Sequence, residues 1–308
     1  MVQNLNSQQQ AALKYIDGPL LVLAGAGSGK TSVITKKIAY LVEDCGIPAR
    51  NIAAVTFTNK AAREMKARVS SLLGKENGKG LTVSTFHNLG LTIIRTEIKA
   101  LGFKPGFSIL DQEDCRNLIK ELLVRHTELD EKLIDTAQNT ISNWKNSLLE
   151  PGQVVGAANS TGEQGIAMLY ERYQRALKAY NAVDFDDLIM TPVMLFRQQT
   201  EILAKWQKRI RYLLVDEYQD TNLAQYELVK TLVNDKQALT VVGDDDQSIY
   251  AWRGARPENL MQLQEDFPSL NIIKLEQNYR STGRILKAAN TLIDNNPHLI
   301  SKALWSEL

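Results

Sequence analysis

Leu20-Leu-Val-Leu-Ala-Gly-Ala-Gly-Ser-Gly-Lys-Thr31 is the stretch on which the fold turns. An apolar run ends in alternating glycines, and a helical pattern opens at Lys30 and Thr31. That order predicts strand, phosphate loop, helix. Gly25, Gly27 and Gly29 let the backbone curl with its N–H groups inward, and Ala24, Ala26 and Ser28 complete the cradle. The following helix adds its positive end. In such a loop the lysine, Lys30, reaches the β- and γ-phosphates of a nucleotide, and the Thr31 hydroxyl ligates Mg²⁺. A glycine turn beside a solvated lysine would look similar, but the flanking strand and helix favour the phosphate loop. One departure stands out: the strict pattern opens on glycine, and here that position is Ala24.

Toward the N-terminus, Ser7-Gln-Gln-Gln10 has the form of a capping box with Ser7 as N-cap. Ala11, Ala12, Tyr15 and Ile16 follow at helical spacing, and Asp17-Gly-Pro19 ends the helix just before the strand. On spacing alone this is an ordinary N-terminal helix.

Downstream, strand and helix alternate. Ile34, Ile38, Leu41 and Val42 mark a helix with one buried face. Ile52–Phe57 is a second strand. Thr58-Asn59 caps a helix striped by Ala62, Met65, Val69 and Leu72-Leu73, whose Lys60, Arg63, Lys66 and Arg68 form a solvated face. Leu81–Phe86 and His87–Leu101 repeat the pattern. Three such units imply right-handed crossovers and a parallel sheet. From about Ser108 to Asp184 the rhythm breaks. No strand is evident there, three helices are (around 118–123, 134–144 and 168–177), and Gly152–Gly165 is expected to be a loop. This is a helical insertion into an α/β domain. Alternation resumes with strands at Tyr212–Glu217, Ala238–Gly243 and Ile272–Leu275, and a helix at Asn222–Val233.

The phosphate loop, Asp216-Glu217 and Gln247 each follow a strand, and in a parallel sheet those ends form one edge. Asp216 is the natural second Mg²⁺ ligand beside Thr31, and Glu217 can orient or deprotonate a water. Taken alone, such a pair is more often a helix cap or turn; the phosphate loop upstream reverses the balance. Gln247 is either a γ-phosphate sensor or a polar turn residue. Gln247-Ser-Ile-Tyr-Ala-Trp-Arg253 is unusual for a loop. Tyr250 and Trp252 could stack on bases while Arg253 holds a backbone phosphate, or the aromatics could be core.

Bulk properties narrow the class. The 308 residues allow two domains, or one with a large insertion. Hydrophobic content of 44% and charged content of 23% are those of a globular protein. The net charge of +1 creates no global field for nucleic acid, so any such surface is a local patch. Cys45 and Cys115 stand in no paired motif, which favours a reducing compartment over disulfides or zinc. His87, His126 and His298 are scattered. With no leader-like start and no spanning apolar run, a cytoplasmic protein away from membranes is expected.

Taken together, the segments resemble the motif series of superfamily 1A DNA helicases, the UvrD/Rep/PcrA family. Leu5-Asn-Ser-Gln-Gln9 resembles the Q motif and Ala24–Thr31 motif I. Thr56-Phe-Thr-Asn-Lys-Ala-Ala-Arg-Glu-Met65 resembles motif Ia. Ser84-Thr-Phe-His87 and Asp184-Phe-Asp-Asp-Leu188 are similar to further DNA-contacting motifs. Val215-Asp-Glu-Tyr-Gln-Asp220 resembles motif II, Gly243–Arg253 motif III and Gln277-Asn-Tyr-Arg-Ser281 motif IV.

The resemblance implies a RecA-like P-loop NTPase domain with a helix-flanked parallel sheet, interrupted by an all-helical subdomain. Its expected bounds are 1–107 and 185–278 for domain 1A and 108–184 for 1B, with 279–308 opening a second RecA-like domain. It implies that Gln9 and Tyr279 read adenine and that Arg280 contacts the γ-phosphate. Lys30, Glu217, Gln247 and Arg280 are the implied catalytic set. The implied DNA contacts are Phe57, Asn59, His87, Phe185, Tyr250, Trp252 and Arg253, with Arg253 also tying motif III to the nucleotide. ATP and Mg²⁺ are the implied cofactors, and the implied activity is 3′–5′ movement on single-stranded DNA with duplex unwinding. The implied partners are single-stranded DNA, single-strand/duplex junctions, and replication or repair proteins. The family has arginine where this chain has Ser32, and it continues into motifs V and VI beyond motif IV. An N-terminal part that binds nucleotide but does not unwind is therefore expected. A P-loop NTPase of another class, or a DNA- or partner-binding piece without turnover, are the alternatives.

Overall fold

A computed structural model describes residues 5–124, 131–157, 160–296 and 300–308; the side chains of Lys75, Val124 and Arg253, and all of His126 and His298, lie outside the described residues. The elements in chain order are α1 (Ser7–Lys14), β1 (Leu20–Ala24), α2 (Lys30–Glu43), β2 (Ile52–Thr56), α3 (Asn59–Asn77), β3 (Thr82–Thr85) and α4 (Phe86–Thr96). Next come β4 (Ser108–Leu110), α5 (Gln112–Val124), α6 (Glu131–Asn146), α7 (Pro151–Ala157), α8 (Thr161–Ala179), β5 (Ala182–Asp184) and α9 (Asp187–Gln198). The last are α10 (Thr200–Arg209), β6 (Tyr212–Val215), α11 (Leu223–Leu232), β7 (Leu239–Gly243), α12 (Asn259–Asp266), β8 (Asn271–Leu275) and α13 (Gly283–Ile293).

Met1–Phe86, Thr200–Asn222 and Val229–Leu308 form one compact unit. It holds a six-stranded sheet of order β3-β2-β6-β7-β1-β8 in which every pairing is parallel. Val22 lies level with Val242 on one side and Ile273 on the other. Strands β1, β2, β6 and β7 are buried along their whole length, so they read as continuous apolar runs. Val22, Ala24, Ile34, Ile38, Leu214 and Val242 meet in its core.

Two local readings need correction. The N-cap of α1 is Asn6, not Ser7: its side chain accepts from the Gln9 N–H, and Gln9 returns a bond to the Asn6 N–H. Asn and Ser cap equally well, so a one-residue shift costs the pattern nothing. The helix after β3 runs Phe86–Thr96 and gives way to turns before Leu101. The Thr58 cap holds, accepting from Ala61 N–H. Lys37, on α2, is fully buried and donates to the carbonyls of Ala12 (2.8 Å) and Tyr15 (2.5 Å), fastening the end of α1. Burial pushes its ammonium down to about 7.

His87–Gln199 and Leu223–Leu228 form the second unit. Ile119, Ile134, Ile141, Leu169, Tyr173 and Leu177 pack the core of the helical insertion. Two further corrections fall here. Strands β4 and β5 pair in parallel, Ile109 level with Val183, where the sequence suggested no strand. Much of the expected loop at 152–165 is helical, as α7 and the first turn of α8, with Ser160 capping the latter. In α4, a Cβ on Gly90 would run into the Leu188 carbonyl, so only glycine permits that approach.

Candidate nucleotide-binding site

The phosphate loop follows β1, Asp216-Glu217 follows β6, and Asp244–Gln247 follows β7. These are neighbouring parallel strands in the order β6-β7-β1, so all three segments emerge at one sheet edge. Gly27 and Gly29 sit at φ 74° and 89°, which side-chain-bearing residues rarely adopt. Ser28 Oγ donates to the Gly25 carbonyl at 2.7 Å and pins the curl. Ala24 closes β1 in ordinary strand pairing and is fully buried, so this position does not require glycine.

Lys30 is the first residue of α2. Its ammonium is buried, finds no hydrogen-bond acceptor among the described residues, and lies 3.5 Å from Glu217 Oε2. An ammonium without an acceptor suits an anionic ligand. Asp216 is only 6% exposed. Burial first, then the Glu217 charge, pushes its carboxyl up to about 7, against the pull of Lys30. Asp220 is pushed up to about 6 by burial and by Glu217. This acidic turn is therefore short of positive charge. The Asp216 carboxylate and Thr31 hydroxyl form the oxygen donor set of a hard divalent cation, so the residues fit Mg²⁺.

Asp216 also gives a pH-dependent expectation. Its folded-state pKa lies above the ordinary 3.8 of the unfolded chain, so the folded chain retains this proton longer and loses stability as pH rises from about 4 through 7. In chelator, Asp216→Asn is expected to raise the melting temperature by several degrees at pH 8. The gain should shrink toward pH 4, as read by differential scanning fluorimetry.

Glu217 adopts φ 52°, ψ 44°, a left-handed conformation costly for a non-glycine residue. Gln219, not singled out in the sequence, explains what holds it. Its Nε2 donates to Glu217 Oε2 at 3.0 Å, while its Oε1 accepts from Asp244 N–H at 2.9 Å. It is 1% exposed and joins the turn after β6 to the one after β7. Gln247 donates its side-chain amide to Asp244 Oδ2. At the other flank, Gln9 Nε2 donates to the Ser28 carbonyl at 2.9 Å. Tyr279 N–H donates to the Gly27 carbonyl at 3.0 Å and its hydroxyl accepts from Asn6 Nδ2. Asn278 Nδ2 donates to the Ala26 carbonyl, and Arg280 is exposed, with its Cβ facing Gly27. Glu217, Gln9, Asn278, Tyr279 and Arg280 thus surround the loop that carries Lys30 and Thr31.

The other predicted residues fall in two groups. In the first unit, Phe57 packs edge-on against Phe86 (5.4 Å), Asn59 is exposed at the start of α3, and Tyr250 and Trp252 are exposed. The alternative of a buried aromatic core at 250–252 does not hold. The Arg253 side chain lies outside the described residues. In the second unit, His87 stands edge-on to Phe185 at 6.1 Å, and Phe185 is half exposed. Burial lowers the His87 pKa.

The turn presenting Phe185 is built around a residue the spacing did not flag. Lys145 is fully buried and binds Asp184 Oδ2 at 2.6 Å and Asp187 Oδ1 at 2.9 Å. Tyr173 also donates to Asp184, and Asn146 to Asp186.

A wholly parallel sheet with a phosphate loop, an acidic pair and a polar segment along one edge defines a RecA-like P-loop NTPase domain. Residues 5–268 match the family described as UvrD/REP helicase N-terminal domain, and the chain belongs to that family. It is 58% identical over 304 residues to the ATP-dependent DNA helicase Rep of Escherichia coli (strain K12), covering 99% of this chain and 45% of that protein. It is 48% identical over 309 residues to the ATP-dependent DNA helicase PcrA of Bacillus subtilis (strain 168), covering 100% of this chain and 42% of that one. The chain thus spans less than half the length of these relatives. Among the described residues no helix is long and apolar enough to cross a membrane.

Proposed function

We propose that the chain is the ATP-binding N-terminal part of a cytoplasmic 3′–5′ DNA helicase that couples ATP hydrolysis to movement on single-stranded DNA and duplex unwinding. One observation carries this reading: the buried Lys30 ammonium, lacking an acceptor and 3.5 Å from Glu217, on a sheet edge shared with Asp216 and the Gln247 segment. Lys30 compensates charge on the β- and γ-phosphates, with Arg280 adding to it at the γ-phosphate. Glu217 takes a proton from the attacking water. The loop from Ala24 to Thr31 cradles the phosphates, and Gln9 and Tyr279 recognise the adenine. Gln247 senses the γ-phosphate. Thr31 and Asp216 would hold Mg²⁺, which supplies charge neutralisation across the phosphate oxygens when bound.

Residues 1–107 and 185–278 are read as domain 1A, 108–184 as 1B, and 279–308 as the opening of a second RecA-like domain. Helix α13 supports the last assignment. Of its side chains Leu286 is buried, while Ile285 and Leu292 are exposed, an apolar face suited to cover by further chain. Unwinding is assigned to the longer protein, and the 308 residues alone bind nucleotide without unwinding.

Phe57, Asn59, His87, Phe185, Tyr250, Trp252 and Arg253 are the assigned contacts to single-stranded DNA and to single-strand/duplex junctions. Replication or repair proteins are the proposed protein partners. Trp252, 73% exposed, favours this over a small-molecule enzyme, because bases stack on aromatic faces whatever their sequence. Trp252→Ala is expected to weaken oligo(dT) binding by about tenfold or more, read by fluorescence anisotropy. Unchanged affinity would remove Trp252 from the track.

A further inference from the structure

Asp244-Asp245-Asp246 form a tight carboxylate cluster, with one oxygen from each lying within 4.8 Å of the others. Three carboxylates so close repel strongly unless a cation is shared among them. That cation is supplied from far along the chain. Lys302 Nζ lies 2.5 Å from Asp244 Oδ1, 2.6 Å from Asp245 Oδ1 and 2.6 Å from Asp246 Oδ2. Its side chain is 4% exposed.

Lys302 is held on a segment tied to the residues around the end of β8. Lys274 Nζ donates to the Ser301 carbonyl, Ala303 N–H to Glu276 Oε1, Trp305 N–H to the Glu276 carbonyl, and Asn278 N–H to the Trp305 carbonyl. Gln277 and Trp305 pair in parallel. Two residues on, Leu304 sits so close over Gly25 that a Cβ there would collide with it. One short segment therefore touches both the phosphate loop and the acidic triplet from which Gln247, Tyr250 and Trp252 extend.

We infer that Lys302 is a positioning residue for the segment from Asp244 to Trp252, fixing it relative to the phosphate loop so that nucleotide binding is felt at the exposed aromatics. The link to DNA-stimulated turnover rests on the function proposed above; the positioning itself does not. Lys302 touches neither nucleotide nor DNA in this scheme. It acts by neutralising the triplet and so fixing the turn that carries Asp244 and, through Asp244, Gln247.

The test is hydrogen exchange read by mass spectrometry on the 308-residue chain, with and without a non-hydrolysable ATP analogue and Mg²⁺. Wild type, Lys302→Met and Lys302→Arg are compared. Exchange in peptides covering 244–253 is expected to rise about tenfold in Lys302→Met, with β1 and β7 unchanged, and to return near wild type in Lys302→Arg. The analogue should slow exchange there in wild type and in Lys302→Arg but not in Lys302→Met. If Lys302→Met does not fold, Lys302→Met/Asp245→Asn removes one of the three carboxylates, restores the wild-type net charge of the cluster and carries the same expectation. Wild-type exchange over 244–253 in the folded methionine variant would overturn the inference. So would analogue protection that survives the loss of Lys302. Hydrolysis indifferent to oligo(dT) in the wild-type protein would instead sink the helicase reading and leave this result standing.

Discussion

Glu217→Gln is expected to lower ATP turnover by two to four orders of magnitude, roughly what a positioned general base contributes, while MgATP still binds. The side chain keeps its size, so the contact with Gln219 survives in altered form. What it loses is the carboxylate 3.5 Å from Lys30, the group able to accept a proton. The backbone supports this role. A glutamate held at φ 52° by neighbours on both sides is fixed where a relaxed chain would not put it. Phosphate release by the longer protein at saturating oligo(dT) measures the effect, with analogue binding as the control. Turnover near the wild-type level would remove Glu217 from the chemistry.

The second large effect concerns stability. Lys145→Met is expected to destabilise the chain by about 3–5 kcal/mol, the usual result of stripping the partner from buried charges. Burial alone would push the Lys145 ammonium down, but Asp187 and Asp184 more than offset this and hold it above its ordinary value. Burial would likewise raise Asp184, yet Lys145 keeps it below the usual carboxylate range. Burial and the Asp184 charge push Asp187 up to about 6. Without the lysine both carboxylates would favour their protonated forms, which the folded chain can adopt at acidic pH. The loss should therefore be larger at pH 8 than at pH 5. Urea unfolding at the two pH values measures it. A loss under about 1 kcal/mol, or one independent of pH, would contradict the placement of this cluster in the core.

The sheet was legible because each buried strand is a short apolar run closed by a glycine, an acidic pair or a capping residue, and because the intervening helices keep one apolar stripe. The places of Lys30, Asp216 and Gln247, each just after a strand, were legible for the same reason. Strands β4 and β5 were not, since three residues carry no period. The loop expected at 152–165 misled because glycine and alanine are read as turn composition, whereas α7 and α8 tolerate them. Lys145, Gln219 and Lys302 were invisible for another reason. Each matters through contacts 25 to 58 residues away or through a turn's geometry, and a local pattern encodes neither. The left-handed backbone at Glu217 is likewise imposed by its neighbours and not by its residue type.

The central claim is that the loop from Ala24 to Thr31 and the acidic turn after β6 hold a nucleotide together. Isothermal titration of the 308-residue chain with a non-hydrolysable ATP analogue and Mg²⁺ tests it most directly, in wild type and Lys30→Ala. One saturable site is expected in wild type, weakened by about thirtyfold or more in the variant through loss of a charge-assisted contact to phosphate. Absence of binding in the folded wild-type chain, or equal affinity in the two proteins, would contradict the account.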